Sequence, residues 1–271
     1  TFISILPVAE NILSGKKVLI AEDNYINQKI LVNLLKKWDM NIKIANNGKE
    51  AIQALQKDSN FHFILMDLQM PEMDGFQTAA FIRNRLSLNI PIIAMTASVM
   101  RGEKEKCLSV GINEFITKPF SSAKLTDILQ CLLVDNEDSK KNEENIILLH
   151  KANSNTGYSL RYLYEVGDDE YCSGVLEMFL KDTPAMLKAI REAAFCQQWD
   201  EVHKKVHKLK SSLGVMQMQQ ILDLMNQVES KALERYGLVT ITADIDKAVE
   251  LFRITQPMIE ADLNNIKQAT A

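Results

Sequence analysis

"FILMDLQMPEMDG", residues 63 to 75, decides how the first half of this chain folds. Four apolar residues run straight into Asp67, and a turn containing Pro71 and Gly75 follows. Aspartate is depleted in strands and costly to bury. Either Asp67 caps a helix, or the fold needs a charge where a buried strand ends. Further short apolar runs lie on both sides: "KVLIA" (17–21), "NIKIA" (41–45), "FHFILM" (61–66), "IPIIAM" (90–95) and "NEFIT" (113–117). Between them, apolar residues fall at helical spacing, as at Ile30, Leu31, Leu34 and Leu35. Five strands alternating with five helices predict a parallel sheet wrapped on both faces. Such a sheet binds ligands outside the carboxyl ends of its strands, where the strand order reverses.

The 271 residues suit two domains of ordinary size, and 46% hydrophobic with 24% charged residues is the balance of a soluble globular protein. A formal net charge of −4 argues against a general nucleic-acid binder. Cys107, Cys131, Cys172 and Cys196 lie far apart without a CxxC pair, which argues against zinc and a disulfide framework and for reduced thiols in the cytoplasm. No apolar run reaches the ~18 residues of a membrane span, so no direct membrane contact is expected. "TFISILPV" is too short for a signal peptide and reads as a strand, and the start at Thr1 suggests a piece of a longer protein.

The pattern changes after residue 133. "VDNEDSKKNEEN" (134–145) is polar and reads as a linker; "IILLHKANSNTG" continues it to 157, with the alternative that its apolar part is a short helix packed on either neighbour. From Tyr158 onward the period is helical: Val175, Leu176, Phe179 and Leu180 make one stripe, and Val202, Val206, Leu209 and Leu213 another. Leu222, Met225 and Val228 mark a third helix, "RYGLVT" (235–240) a break, and Ile245, Val249, Phe252 and Ile259 a last helix. This half reads as a four-helix bundle with one extra helix.

The carboxyl ends of the strands collect chemistry. The first ends at Glu22 and Asp23, the third at Asp67, the fourth at Thr96, and the fifth at Lys118 before Pro119. Three carboxylates in one cleft repel each other unless a cation sits among them, and hard oxygen ligands around a small opening suit Mg²⁺. A hydroxyl and an ammonium on the rim are what a transferring phosphoryl group needs for its oxygens. Singly, each residue has a plainer reading. Glu22 or Asp23 could cap the first helix, Thr96 or Ser98 the fourth, Asp67 could belong to a turn, Phe115 to the core and Lys118 to the surface. Their convergence on one cleft outweighs those readings.

"LIAEDN", "MDLQMPEMDG", "IIAMTAS", "CLSVGINEF" and "ITKPF", in this order, resemble the receiver domain of two-component response regulators over residues 16–133. The resemblance implies a flavodoxin-like (βα)5 doubly wound parallel sheet of order 2-1-3-4-5. It makes Asp67 the phosphoacceptor. Mg²⁺ would be held by Asp23, Asp67 and the backbone carbonyl of Gln69, with Glu22 acting through water. Thr96 and Lys118 would take phosphoryl oxygens, and Phe115 would be the aromatic switch that rotates as Thr96 moves.

In the second half, "WDEVHKKVHKLKSSLGVM" (199–216) carries His203 and His207. At 100° per residue His203 lies about 100° from the Val202 stripe, His207 about 140° and Lys210 about 80°, so His207 is expected to point outward at the bundle edge. The i, i+4 histidine pair lacks the Glu of an HExxH zinc pattern. "HKLKSS" resembles the H-x-L-K-G-S stretch of histidine-containing phosphotransfer (HPt) domains, with "YLYEVGDDEYCSGVLEMFLKD" and "WDEV" also similar; the resemblance covers residues 155–267, and the domain is read as 158–271. The resemblance implies that His207 carries the phosphoryl group and that Lys210 steadies its charge. Ser211 stands where the family has Gly, and Gln217 where it has a small residue. Lys204, Lys205, Lys208 and Lys210 read as a solvated basic face that would steer docking to an acidic cleft.

Together the resemblances imply a two-component phosphorelay module of a hybrid sensor histidine kinase. An upstream histidine kinase domain would load Asp67, and His207 would pass the group to a downstream response regulator. Residues 1–15 would be a remnant of the kinase ATP-binding domain or a linker, and the parent would be anchored in an inner membrane. Two rival classes are a Mg²⁺-dependent aspartyl-phosphate phosphatase and a helical interaction module without phosphorylation. The phosphatase wants a second Asp where Gln69 stands. A DNA-binding regulator would need a helix-turn-helix pattern after the receiver.

Overall fold

The computed structural model describes residues 12–96, 103–133, 157–235 and 237–270. The chain divides into two compact units, residues 1–149 and 150–271. The strand read in 1–8, the alternative cap Ser98 and nearly all of the linker at 134–157 lie outside the described residues.

In the first unit, strands β1 (Lys17–Ala21), β2 (Asn41–Ala45), β3 (Phe63–Asp67), β4 (Ile92–Thr96) and β5 (Glu114–Thr117) alternate with helices. The helices are α1 (Tyr25–Lys37), α2 (Gly48–Lys57), α3 (Gly75–Asn84), α4 (Glu103–Ser109) and α5 (Ser122–Leu133). The sheet is parallel, with the predicted order β2-β1-β3-β4-β5. Every residue of β3 and β4 is buried, as central strands covered on both faces require. Alternation divides them between two cores. Phe63 and Leu65 join Ile93, Met95, Leu125 and Leu129 on one side. Ile64 and Met66 join Ala94, Ala79, Ile82 and Leu55 on the other. Leu13 is fully buried in the first of these clusters, so residues 12–15, expected to precede the domain, belong to it.

Local chemistry answers the question posed by Asp67. Helix α1 is capped by Asn24, whose side chain accepts from the N–H groups of Ile26 and Asn27. Helix α3 is capped by Asp74 in a reciprocal box with Gln77. Neither Glu22, Asp23 nor Asp67 is needed as a helix cap, so the carboxylate at the end of β3 is free for another task. Gly75 fits where it does because a Cβ there would meet the Asp67 carbonyl oxygen at 2.4 Å. The first residue of α3 is packed directly onto the strand end.

The second unit contains α6 (Arg161–Val166), α7 (Asp169–Phe195), α8 (Trp199–Val215), α9 (Gln219–Glu234) and α10 (Ile241–Thr270). The short α6 is the extra helix. Helix α7 packs on α8 and α10, and α9 packs on the same two, which closes a four-helix bundle. Phe179 meets Phe252 edge to face at 6.0 Å, and the Tyr158 hydroxyl donates to Asp262 at 2.6 Å. The predicted break falls where Arg235 (φ 57°) and Gly237 (φ 66°) adopt left-handed conformations and a 3₁₀ turn, Leu238–Thr240, follows. Gln217 also takes a positive φ, 52°, so the turn into α9 is made although the residue is not small. Among the described residues, no helix is long and apolar enough to cross a membrane.

Candidate functional site

The end of β3 and the two residues after β1 bring Asp67, Glu22 and Asp23 together. One carboxylate oxygen from each lies within 4.8 Å of the others, and this is the one such cluster found among the described residues. Glu22 is fully buried, Asp67 is 4% exposed, and Asp23 is half-buried. The register places Asp67 opposite Met95 in β4, and the Gln69 N–H donates to Asp67 Oδ1 at 3.1 Å. The Gln69 side chain itself is exposed.

Lys118 leaves the end of β5 and enters this cluster. Its backbone N–H donates to the Thr96 carbonyl at 2.7 Å, which seats it beside β4. Its ammonium donates to Asp67 Oδ2 and Glu22 Oε2, both at 2.6 Å. Two neutral side-chain and backbone donors complete the set, the Asn27 amide at 2.9 Å and the Asn24 N–H at 3.2 Å, both to Glu22 Oε1. Burial pushes the Glu22 carboxyl up to about 8, with Lys118 opposing and Asp67 adding to the rise. Burial pulls the Lys118 ammonium down, but Asp67 and Glu22 outweigh it and raise it. One ammonium among three carboxylates leaves net negative charge, the condition under which a small cation with oxygen ligands is favoured. Thr96 is 7% exposed at the end of β4, and Phe115 is half-buried against the sheet core one strand away. The sequence reading missed Asn27, whose side-chain amide holds Glu22 together with the backbone N–H of Asn24.

His207 is in α8, but it does not point outward as the single-helix projection predicts. Its side chain is 13% exposed, and Lys210 is 7% exposed. Helix α8 touches two neighbours, α7 and α9, so its covered arc is wider than the Val202 stripe. Glu229, from α9, reaches both residues: Oε1 is 3.0 Å from His207 Nδ1 and Oε2 is 2.6 Å from Lys210 Nζ. Lys210 therefore leaves the basic face expected at 204–210. Lys204 is exposed and pairs with Glu201 at 3.3 Å. Glu229 was not anticipated. Its signal was a lone acid in the apolar stripe Met225, Val228 and Ala232. Burial pushes the Glu229 carboxyl up, but the hydrogen bonds from His207 and Lys210 prevail and hold it at about 2. His203, one turn before His207, has its pKa lowered chiefly by burial.

Residues 18–130 match the response regulator receiver domain family, and residues 174–269 match the Hpt domain family. Among curated proteins, the chain is 33% identical over 139 residues to Histidine kinase 3 of Arabidopsis thaliana, covering 44% of this chain and 13% of that protein. It is 40% identical over 122 residues to Hybrid signal transduction histidine kinase I of Dictyostelium discoideum, covering 42% of this chain and 7% of that protein. The chain thus spans a small part of these relatives. Among solved structures, it is similar to the receiver domain of a sensor histidine kinase of Pseudomonas aeruginosa PAO1, with 32% identity and a TM-score of 0.41, covering 44% of this chain and 98% of that one.

Proposed function

Because this chain joins a response regulator receiver domain to an Hpt domain, we propose that it is a phosphorelay module of a hybrid histidine kinase. The observation that carries the reading is the convergence of Asp67, Glu22 and Asp23 with Lys118, whose ammonium reaches Asp67 at 2.6 Å. In the first step an Asp67 oxygen attacks the phosphorus of a phosphohistidine on the upstream kinase domain. The new P–O bond forms as the P–N bond breaks, and the imidazole leaves with the electron pair. Lys118 and the Thr96 hydroxyl receive the phosphoryl oxygens. As Thr96 turns toward the phosphoryl group, Phe115 rotates inward, which shifts an existing equilibrium between two states.

The donor set fits Mg²⁺. An ion with six oxygens at about 2.1 Å spans roughly 4.2 Å between opposite ligands, near the 4.8 Å limit within which the three carboxylates lie. Asp23, Asp67 and the Gln69 carbonyl would hold it, with Glu22 through water. The ion would screen the phosphoryl oxygens from the carboxylates. In the second step His207 takes the phosphoryl group from an aspartyl phosphate and passes it to a downstream response regulator.

Incubation of the chain with Mg²⁺ and a small labelled acyl phosphate tests this reading. Base-labile label should vanish in Asp67→Asn, and acid-labile label in His207→Gln. Label unchanged in Asp67→Asn would remove the receiver assignment. Acid-labile label that persists in His207→Gln would move the second site, first to His203.

A further inference from the structure

Asn47 stands at the start of α2 and is 7% exposed. Its side chain has two partners. Oδ1 accepts from the Glu50 N–H at 2.9 Å and caps the helix. Nδ2 donates to Glu72 Oε1 at 3.2 Å. Glu72 lies in the loop between β3 and α3, the loop that also carries Gln69. It holds a left-handed backbone, φ 65°, without being glycine. Such a conformation persists where its surroundings fix it. Asn47 supplies one such contact. The Lys49 ammonium, 3.3 Å from Glu72 Oε2, adds an exposed ion pair that contributes little. Backbone closes the same gap, because the Gly48 N–H donates to the Met73 carbonyl at 3.2 Å. A Cβ at Gly48 would fall 2.7 Å from that oxygen, so only glycine lets the first turn of α2 come so near the loop.

The same turn also reaches the other bank of the acidic cleft. Asn46 donates to Glu50 Oε2 from its N–H at 2.9 Å and from Nδ2 at 2.8 Å. Asn46 Oδ1 accepts from Gln28 Nε2 at 3.0 Å, and Gln28 Nε2 also donates to the Glu22 carbonyl. Two consecutive residues thus tie both banks to one helix end. Asn46 holds the segment of Glu22 and Asp23, and Asn47 holds the loop of Gln69.

We propose that Asn47 is a positioning residue for the cation site: its amide latches Glu72 and so fixes the loop that presents the Gln69 carbonyl alongside Asp23 and Asp67. This rests on the reading of the cleft as a Mg²⁺ site. Mg²⁺ demands near-octahedral geometry and tolerates little adjustment of its ligands. A carbonyl on a loosened loop must be ordered as the ion binds, and that cost is subtracted from the affinity. The coupling is reciprocal, so Mg²⁺ should in turn slow opening of the Gly48–Met73 bond.

Asn47→Asp tests the latch most sharply. It keeps the capping oxygen and replaces the donor by an oxygen that repels the Glu72 carboxylate. Asn47→Asp/Glu72→Gln restores one donor and one acceptor with their sides exchanged. The full chain, these two variants and Glu72→Gln alone are compared by Mg²⁺ titration calorimetry and by amide hydrogen exchange at Gly48 and Met73 with and without Mg²⁺. Asn47→Asp should weaken Mg²⁺ binding about 10-fold, the low end of the scale for groups that hold metal ligands. It should also speed exchange at Gly48 several-fold in the metal-free chain. The exchanged pair should recover most of both losses. Glu72→Gln still accepts from Asn47 and loses only the exposed ion pair, so it should stay within about twofold of the unmodified chain. An added acid near the cleft would by itself attract Mg²⁺, so charge alone predicts tighter binding in Asn47→Asp. Unchanged or tighter binding there would overturn the proposal. So would a loss that the exchanged pair does not recover. An unmodified chain that takes up no Mg²⁺ would instead overturn the reading of the cleft, while exchange at Gly48 judges the latch separately.

Discussion

The two charge clusters meet burial in opposite ways. Around Asp67, three carboxylates gather near one ammonium. Around Glu229, one carboxylate is shared by an ammonium and an imidazole. The first cluster has more negative charge than its own residues neutralise, so it is suited to a cation and to the phosphoryl group that a cation escorts. The second is balanced within itself, with the Lys210 ammonium and the His207 ring both against one carboxylate. On the proposed function, the first cluster would be the one that works with a cation.

Removing the central lysine should separate the clusters most. Lys118→Met leaves Glu22 and Asp67 buried without their cation, which should cost about 3–5 kcal/mol, read as a lower urea midpoint for the first unit. Lys210→Met leaves Glu229 with His207 still bonded and should cost about 1–3 kcal/mol. Equal losses would mean that the two clusters are compensated alike.

Acidity should act on them with opposite signs. Glu22 has a folded pKa raised to about 8, so the folded state holds a proton that the unfolded chain releases. Its contribution is full below about pH 4.5 and is lost as the pH rises through 8. Glu22→Gln should therefore flatten the stability of the metal-free chain across that window, a change of a few kcal/mol at most. Glu229, held at about 2, contributes above about pH 4.5 and loses that contribution as the pH falls toward 2. Glu229→Gln should remove stability at neutral pH and leave the strongly acidic range unaffected. Urea titrations at several pH values distinguish these outcomes, and slopes of the same sign would break the comparison.

Mg²⁺ should stabilise one unit alone. At a hundred times its dissociation constant a ligand adds about 2.7 kcal/mol to the state that binds it. Calorimetry should show the first unit's transition rising with Mg²⁺ while the helical unit's stays fixed, and a shift in both would contradict the assignment. The smallest effect concerns docking. Lys204 is exposed, so Lys204→Glu should slow transfer to an acidic receiver by only a few-fold at low ionic strength and not at all at high salt. A salt-independent rate would dismiss Lys204 as a steering charge.

What the sequence made legible depended on how local its causes are. Five short apolar runs, each followed by helical spacing, were enough for a parallel sheet covered on both faces, because such a sheet needs that alternation, while its order came from the resemblance to receiver domains. Asp67 stood out because Glu22, Asp23, Thr96 and Lys118 fall at the ends of neighbouring strands, not because its own neighbours along the chain excluded a turn. His207 was placed on the wrong side of α8 because a stripe drawn on one helix cannot register a second neighbouring helix. Glu229 escaped notice because its partners Lys210 and His207 are 19 and 22 residues away, and only the packing of α9 on α8 brings them into contact.

Gly75 carries a consequence for mutational tolerance. A Cβ at that position would fall 2.4 Å from the Asp67 carbonyl and 2.9 Å from the Leu68 α-carbon, with backbone on every near side and no flexible side chain to yield. A saturation library selected for receiver activity should return glycine at 75 and little else. The same library at Gln69, whose side chain is exposed, should return a broad mixture. The turn that follows Asp67 would then show the sharpest contrast in permitted residues within the first unit, set by a position that carries no side chain of its own.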